Sequence, residues 1–326
     1  MFEIVFVGTS AAIPSPRRGR PATLVRYGAK KFLVDCGDGT ARQMVPGRRI
    51  RGLNKALTEP LFVLITHGHA DHFLGMGQLL YYLSMTTNAK LVRIYAPYAA
   101  GAQIRRLVGM VDIKGGLKVE VNEFVSRLVF QDDEITCTAF PTYHTPDSYG
   151  FRFDERQRRP FLTDIADRIG VPEGRLRREL VSGRPVVLEG GTTVQPDQVL
   201  GPSVPGQSLV ITGDAVFGPE LVEAARGTDC LIAEAPYLEH DRPLATKHGH
   251  LTALDAGRLA LEAGTRALFL HHLSTRYTDE AVLIEARRVF KHARLANDFD
   301  YVRIGAEIVL QEDGRGRNPV SQSEGE

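Results

Sequence analysis

Apolar β-forming runs and helical stripes alternate along most of this chain. Runs at 2–7, 22–27, 31–35, 61–66, 91–96, 117–124 and 134–140 predict strands, and after a gap such runs resume at 208–213, 229–233, 266–270 and 306–310. Apolar positions at helical spacing predict helices at 73–87, 98–109, 218–226, 252–263 and 279–292. The helix at 252–263 carries its own start and stop signals. Thr252 precedes the stripe, Asp255 stands three residues on as in a capping box, and Gly264 follows the last turn. Adjacent short strands first, then strands alternating with helices, predict an α/β fold of two sheets sandwiched between helices.

Residues 154–206 break this alternation. Arg, Gly and Pro are frequent there, as in DERQRRPF, GVPEGRLRRELVSGRP and LGPSVPG, with a short helix expected at 173–182. Between 152 and 184 nine Arg meet six acids: Asp154, Glu155, Asp164, Asp167, Glu173 and Glu179. The segment reads as an arm inserted into one large domain spanning 1–312. The last stretch, 313–326, has no apolar periodicity and is expected to be a disordered tail.

At 326 residues, 43% of them hydrophobic, the chain can bury a sizeable core. No apolar run reaches the roughly 18 residues of a membrane span. The opening MFEIVFVGTS is short in its apolar stretch and has no basic residues before it, so it reads as a strand rather than a signal peptide. Cys36, Cys137 and Cys230 are odd in number, widely spaced and free of any CxxC pair. Neither a disulfide framework nor a thiolate zinc site is expected, and a reducing cytoplasm suits them. The net charge of +1 excludes nothing by itself, but residues 17–51 carry ten Arg or Lys against Asp35 and Asp38. Such a patch either meets a polyanion or is an ordinary solvated surface.

The chemistry is concentrated in Thr66-His67-Gly68-His69-Ala70-Asp71-His72, directly after the apolar run LFVLI. Four ligand-type side chains lie where a buried strand gives way to a loop. In extended backbone His67, His69 and Asp71 share one face, and a tight loop lets Asp71 and His72 turn toward a second ion. Imidazole with carboxylate suits Zn²⁺, Mn²⁺ or Fe. Chance is a poor explanation for this cluster in a chain with ten histidines. His144, Asp214 and His272 follow ITCTAFPTY, SLVITG and RALFLH. Each alone is an ordinary turn residue. Together, at the ends of separate strands, they complete two metal spheres with Asp214 between them.

THGHADH, PTYHTPDSYGFRF, ITGDA and HHLSTRY together resemble ribonuclease Z, the tRNA 3′-processing endonuclease family of the metallo-β-lactamase superfamily. GTSAAIPSPRRGRPATLV, FLVDCGDGTARQM, LIAEAPY and KHGHLTA extend the resemblance through residues 1–310. The THxHxDH element marks the superfamily; the Glu-Ala pair with GHLTA and LSTRY is more specific. The resemblance implies a metallo-β-lactamase αββα four-layer sandwich whose arm, 154–206, is an exosite contacting tRNA through Arg175, Arg177 and Arg178. It implies two Zn²⁺ per subunit, with Mn²⁺ or another divalent metal as substitutes. His67, His69 and His144 would hold one ion, Asp71, His72 and His272 the other, with Asp214 bridging and His271 packed beside them. Asp71 would also orient or deprotonate the attacking hydroxide, and His250, held by Glu234, would protonate the leaving ribose 3′-oxygen. His240 and His248 read as surface residues. The implied activity is removal of the 3′ trailer from precursor tRNA by a cytoplasmic homodimer with no membrane association.

Three departures from the family pattern stand out. The arm reads Gly170-Val171-Pro172-Glu173-Gly174-Arg175-Leu176, without the usual Pro-Gly-Pro turn and with Arg in place of Lys. The loop after the first strand reads Ser15-Pro16-Arg17-Arg18-Gly19-Arg20-Pro21, without the usual asparagine and lysines. Pro236-Tyr237 stands where Thr-Phe is usual. Two other classes remain to be separated from this reading: a phosphodiesterase of the same fold acting on small diesters such as cyclic nucleotides, and a metal-containing RNA-binding protein without catalysis. A general acid at His250 has no use in the latter.

Overall fold

The computed structural model describes residues 1–44, 61–86, 89–124 and 127–312. The end of the basic 17–51 stretch and the tail expected at 313–326 lie outside the described residues. By contacts the chain divides into two compact units. One comprises Met1–Asp132, Thr136–Asp154 and Gln207–Glu326, the other Asp133–Ile135 with Glu155–Gly206.

The first unit holds two sheets. Among the described residues one has eight strands, in the order Ile308–Gln311, Tyr301–Ile304, Phe2–Gly8, Ala22–Tyr27, Lys30–Val34, Leu61–Leu64, Leu91–Ala96 and Lys118–Glu123. The other has seven, in the order Ala293–Leu295, Ala267–His271, Cys230–Glu234, Ser208–Ile211, Tyr149–Glu155, Ile135–Pro141 and Leu128–Gln131. The apolar runs form strands here because both faces are covered. Strands such as Leu61–Leu64, Cys230–Glu234 and Ala267–His271 bury every residue, as expected when each face meets a different layer.

Alternate residues serve those two layers. Val5, Val7, Leu33, Val63 and Ile65 pack with Leu79, Leu80, Leu83 and Ile104 of the helices Met76–Thr86 and Tyr98–Met110. Their neighbours Phe6 and Phe32 meet the other sheet. Phe6 lies 5.8 Å from Phe269 between ring centroids, and Phe32 lies 5.3 Å from Phe153 and 5.2 Å from Phe130. On the far side Leu231, Ala233, Leu268 and Leu270 pack with Leu221, Leu259, Ala260 and Val282 of three more helices, Pro219–Ala225, Ala253–Ala263 and Asp279–Arg287. Helix, sheet, sheet and helix thus stack as four layers, as expected from the sequence. Each phenylalanine of the central seam contributes roughly 1.5–3 kcal/mol through removal of its ring from water.

Strand direction places the site. Lys30–Val34, Leu61–Leu64 and Leu91–Ala96 run parallel, as do Ser208–Ile211, Cys230–Glu234 and Ala267–His271. Loops leaving the carboxyl ends of parallel strands in one sheet gather at one edge. Asp35, His67, Asp214 and His272 lie in such loops, just beyond four of these strand ends. Among the described strands of these two sheets, four have no counterpart in the apolar pattern: Leu128–Gln131, Tyr149–Glu155, Ala293–Leu295 and Tyr301–Ile304. They are short or carry charged residues, and their ladder partners, not their own composition, make them strands.

The second unit has its own small core of Ala166, Val171, Leu180, Val186, Val194 and Val199. Around it lie the helices Thr163–Ile169 and Arg175–Val181, the hairpin Val186–Val187/Thr193–Val194 and the turn of helix Pro196–Val199. Its arginines are employed unequally. The Arg177 guanidinium donates to the Val171 carbonyl at 2.8 Å, ion-pairs with Asp167 and sits 5.7 Å over the Phe161 ring. Arg177 is therefore a brace within the unit. Arg175 has 86% of its side chain exposed, and Arg178 is also exposed.

Candidate metal centre

Asp214 is the hub of the site. Its Oδ2 lies 3.7 Å from His67 Nε2, 3.4 Å from His72 Nε2 and 3.7 Å from His144 Nε2. Its Oδ1 lies 3.4 Å from His272 Nε2. Asp71 Oδ2 is 3.5 Å from His72 Nε2 and 3.7 Å from His272 Nε2, and His69 Nδ1 is 3.1 Å from His144 Nε2. Among the described residues three groups of donor atoms result. His67, His69, His144 and Asp214 form one, Asp71, His72 and His272 a second, and Asp214, Glu234, His250 and His272 a third, with the atoms of each group within 4.8 Å of one another. All seven residues expected to be ligands are thus brought together.

Local backbone makes this possible. His69 caps the single helical turn Ala70–Phe73, which carries Asp71 and His72. Gly213 turns the chain into Asp214 at φ +61°, and a Cβ there would stand 2.8 Å from Thr66 Cγ2. His272 has φ +55°, so the chain leaves the strand Ala267–His271 at that residue and the alternation ends. His271 stays in the strand opposite Glu234, buried, outside all three donor groups. Positive φ in a non-glycine residue costs about 1–3 kcal/mol and persists where surrounding structure holds it.

At His72 and His144 the outer nitrogens are already engaged. His72 Nδ1 donates to Asp35 Oδ2 at 2.8 Å, and His144 Nδ1 donates to the Gly249 carbonyl at 2.9 Å. Each ring therefore offers Nε2 to the centre, with its orientation and tautomer fixed by the oxygen behind it. Asp35 is the functional residue that the sequence reading passed over. Its Oδ1 also accepts the Thr66 amide at 2.9 Å, which ties the strand end Val34 to the histidine loop. The signal for it was present: an aspartate ending the apolar run at 31–35, followed by CGDG.

The donor set fits a divalent cation. His67 Nε2, His72 Nε2, His272 Nε2 and Asp214 Oδ1 are buried with no hydrogen-bond partner in the protein. Buried polar atoms left so are costly unless something satisfies them. Burial pushes His67 well below the ordinary imidazole value. Burial acts in the same direction on His72 and His272, but Asp214 with Asp35 overcomes it at His72, which is held well above that value. At His272, Asp214 with Asp71 and Glu234 overcomes burial and lifts the ring to about 10. Burial likewise opposes ionisation of Asp214, yet His272 and His72 hold its carboxyl well below the usual range. The carboxylates call for positive charge beside these rings, and a divalent cation supplies it with release of protons.

A second pair stands against this cluster. Glu234 is fully buried at the end of its strand. Its Oε1 accepts the amides of Ala215 at 2.7 Å and Leu251 at 3.1 Å, and its Oε2 accepts His250 Nδ1–H at 2.7 Å. A carboxylate so occupied serves to orient rather than to ligate. Burial disfavours the His250 imidazolium, but the Glu234 carboxylate outweighs it and raises the ring above its ordinary value. His250 Nδ1 is 3.9 Å from Asp214 Oδ2. The predicted capping box helps place the loop: Thr252 Oγ1 accepts the Asp255 amide at 3.1 Å, and Asp255 Oδ2 accepts the Thr252 amide at 3.2 Å. Tyr237 lies 5.8 Å from the His250 ring between centroids, in place of the threonine-bearing sequence usual there. His240 and His248 are exposed.

The basic stretch at 17–51 is partly spent inside the protein. Arg18, 9% exposed, donates to Thr9 Oγ1 at 2.7 Å, the Ala296 carbonyl at 2.6 Å, Asp279 at 2.7 Å and Asn297 at 2.9 Å. It pins its loop to the start of the helix Asp279–Arg287 and to the chain beyond it, and its charge is spent there. No described helix is long and apolar enough to cross a membrane. The three cysteines are buried and unpaired with one another.

Comparison with known proteins agrees with this geometry. Residues 30–179 match the family model of a β-lactamase superfamily domain. In fold the chain is similar to a metallo-β-lactamase fold protein of Bacillus subtilis, at TM-score 0.66 and 18% identity, covering 92% of this chain and 99% of that one. It is similar to the short form of human tRNase Z at TM-score 0.61 and 23% identity, covering 93% and 99%. In sequence it is 38% identical to the ribonuclease Z of Bradyrhizobium diazoefficiens over 306 residues, which is 93% of this chain and 99% of that relative. The ribonuclease Z of Archaeoglobus fulgidus is 35% identical over 305 residues, 92% of this chain and 96% of its own length. With a site of clustered His and Asp residues compatible with metal, on this fold and at this identity, the chain belongs to the ribonuclease Z family.

Proposed function

We infer that the protein is a metal-dependent endoribonuclease acting on tRNA, and that it removes the 3′ trailer from precursor tRNA. In this reading His67, His69 and His144 would hold one Zn²⁺ and Asp71, His72 and His272 a second, with Asp214 available to both. Two such cations polarise a phosphodiester and lower the pKa of water to make a nucleophile at neutral pH. The observation that carries the reading is the Glu234–His250 pair, 2.7 Å apart beside the ligand cluster. Phosphodiester cleavage at a ribose 3′-oxygen expels a poor leaving group, which needs a proton. Glu234 holds Nδ1–H of His250 and leaves Nε2 as the proton donor. Asp71, at the edge of the cluster, orients the attacking water. The products are a tRNA with a 3′-hydroxyl and a trailer with a 5′-phosphate.

Residues 1–312 form the catalytic domain in this reading, and 154–206 an exosite that touches the tRNA backbone. Arg175 and Arg178 are exposed and suited to phosphate contact, while Arg177 shapes the arm. A cytoplasmic homodimer, in which one subunit's arm presents tRNA to the other's centre, completes the proposal. The test is incubation of the zinc-loaded protein with a 3′-extended precursor tRNA and mapping of the cut to one nucleotide. A single cut near the discriminator base, lost in Asp214→Ala, is the expected result. No cut, with bis(p-nitrophenyl) phosphate still hydrolysed, would move the substrate to a small diester.

A further inference from the structure

Tyr143 stands immediately before His144 and has φ +60°. Left-handed backbone is a genuine outlier for an aromatic residue, and glycine or asparagine meets such a turn with less strain. The conformation is held by its surroundings: the Val216 amide donates to the Thr142 carbonyl at 2.8 Å, and Tyr143 bridges Ala215, the residue after Asp214. Burial of the ring would offset the strain, yet Tyr143 is 58% exposed. Strain kept at an exposed aromatic beside a ligand cluster points to a use for the ring outside the fold.

Tyr143 borders a cavity of about 650 Å³, whose lining also includes Phe140, Pro141, Arg127, Arg152, Arg226 and the acids Glu220 and Glu223. That volume accommodates one nucleotide. The wall is fixed, because Phe140 packs over Gly150, where a Cβ would stand 2.4 Å from the ring. Two of the guanidinium groups are already committed: Arg152 to Asp154 and the Ala224 carbonyl, both at 3.0 Å, and Arg226 to Glu223 at 2.6 Å. With Glu220 and Glu223 also in the lining, the cavity is no phosphate channel, and Phe140, Pro141 and Tyr143 offer the surface suited to the flat face of a base.

We propose that Tyr143 is a stacking platform for one unpaired base of the RNA substrate next to the scissile phosphate. This rests on the endoribonuclease reading above. Stacking on an aromatic side chain is tolerant of base identity, so the contact positions the strand without selecting sequence.

The test compares Y143G, which removes the ring and relaxes the backbone, with Y143F, which keeps the face. Y143G is expected to raise KM for precursor tRNA about tenfold, in line with stacking contributions, with a smaller change in kcat; Y143F is expected to keep the wild-type KM. An abasic nucleotide is then moved through the positions flanking the cut. At one position it should raise the wild-type KM equally and make the enzyme indifferent to Y143G. A wild-type KM in Y143G, or a Y143G defect that persists with every abasic substrate, overturns the proposal. Should Y143G bind less zinc, Y143L carries the test, since it keeps apolar bulk and the backbone strain without a π face; a wild-type KM there overturns the proposal equally. Failure of the wild-type protein to cut precursor tRNA would remove the underlying reading instead, and the two failures are distinct.

Discussion

Replacing Glu234 by Gln isolates the charge of the group behind His250. The Gln carbonyl can still accept the amides of Ala215 and Leu251, which Glu234 Oε1 receives at 2.7 and 3.1 Å. The fold at this strand end is thus kept, whereas Ala would orphan both amides at about 1–3 kcal/mol each. At the other end the Gln amide faces His250 Nδ1, 2.7 Å from Oε2 in the native pair. Two donors cannot meet there, so the ring must give up its Nδ1 proton and the imidazolium loses its counter-charge. A hydrogen bond to a charged group contributes about 1.5–3 kcal/mol. At about 1.36 kcal/mol per factor of ten in rate, kcat on precursor tRNA should fall roughly 10- to 150-fold. The phenolate of bis(p-nitrophenyl) phosphate leaves with little protonation, so its hydrolysis should fall much less. The pH profile gives the sign. A general acid must carry its proton, so kcat declines as pH rises through the His250 pKa. Glu234 raises that pKa, so its neutralisation should move the declining limb to lower pH. A kcat near wild type with an unmoved limb, or equal losses on both substrates, would refute the assignment.

Asp214→Ala should abolish metal uptake and hydrolysis together, measured by metal analysis and turnover, and full turnover in that variant would exclude a bridging role. Asp35→Asn should weaken metal binding about 10- to 100-fold, the usual effect of losing a partner behind a ligating histidine; chelator competition measures it, and native affinity would show that the 2.8 Å bond to His72 is idle. Charge reversal at Arg175 and Arg178 should weaken tRNA binding and flatten its salt dependence, and an unchanged slope would count against the exosite. Arg177→Ala should instead lower the resistance of residues 155–206 to proteolysis, because its bonds to Val171 and Asp167 hold that unit together; native resistance would show that the brace contributes nothing.

The amino-acid sequence by itself determined what depends on near neighbours. THGHADH is legible because four ligand types lie within one short loop, and the layers are legible because strands covered on both faces are apolar throughout. The capping box at Thr252 and the stop at Gly264 are local hydrogen-bond chemistry and appear as read. Tertiary structure decided what depends on partners far along the chain. Asp35 orients His72 across 37 positions, and Glu234 meets His250 across 16. His272 rather than His271 enters the cluster because the backbone turns at φ +55° there; in a regular strand the two residues differ only in face. Arg18 looks in sequence like a free charge, yet the Ala296 carbonyl and Asp279, far along the chain, consume it, and Arg177 is likewise taken up by Val171 and Asp167 once its own unit folds. Charge and ligand type are properties of a residue, whereas hydrogen-bond saturation and metal geometry are properties of where several residues meet, and only the folded chain specifies that.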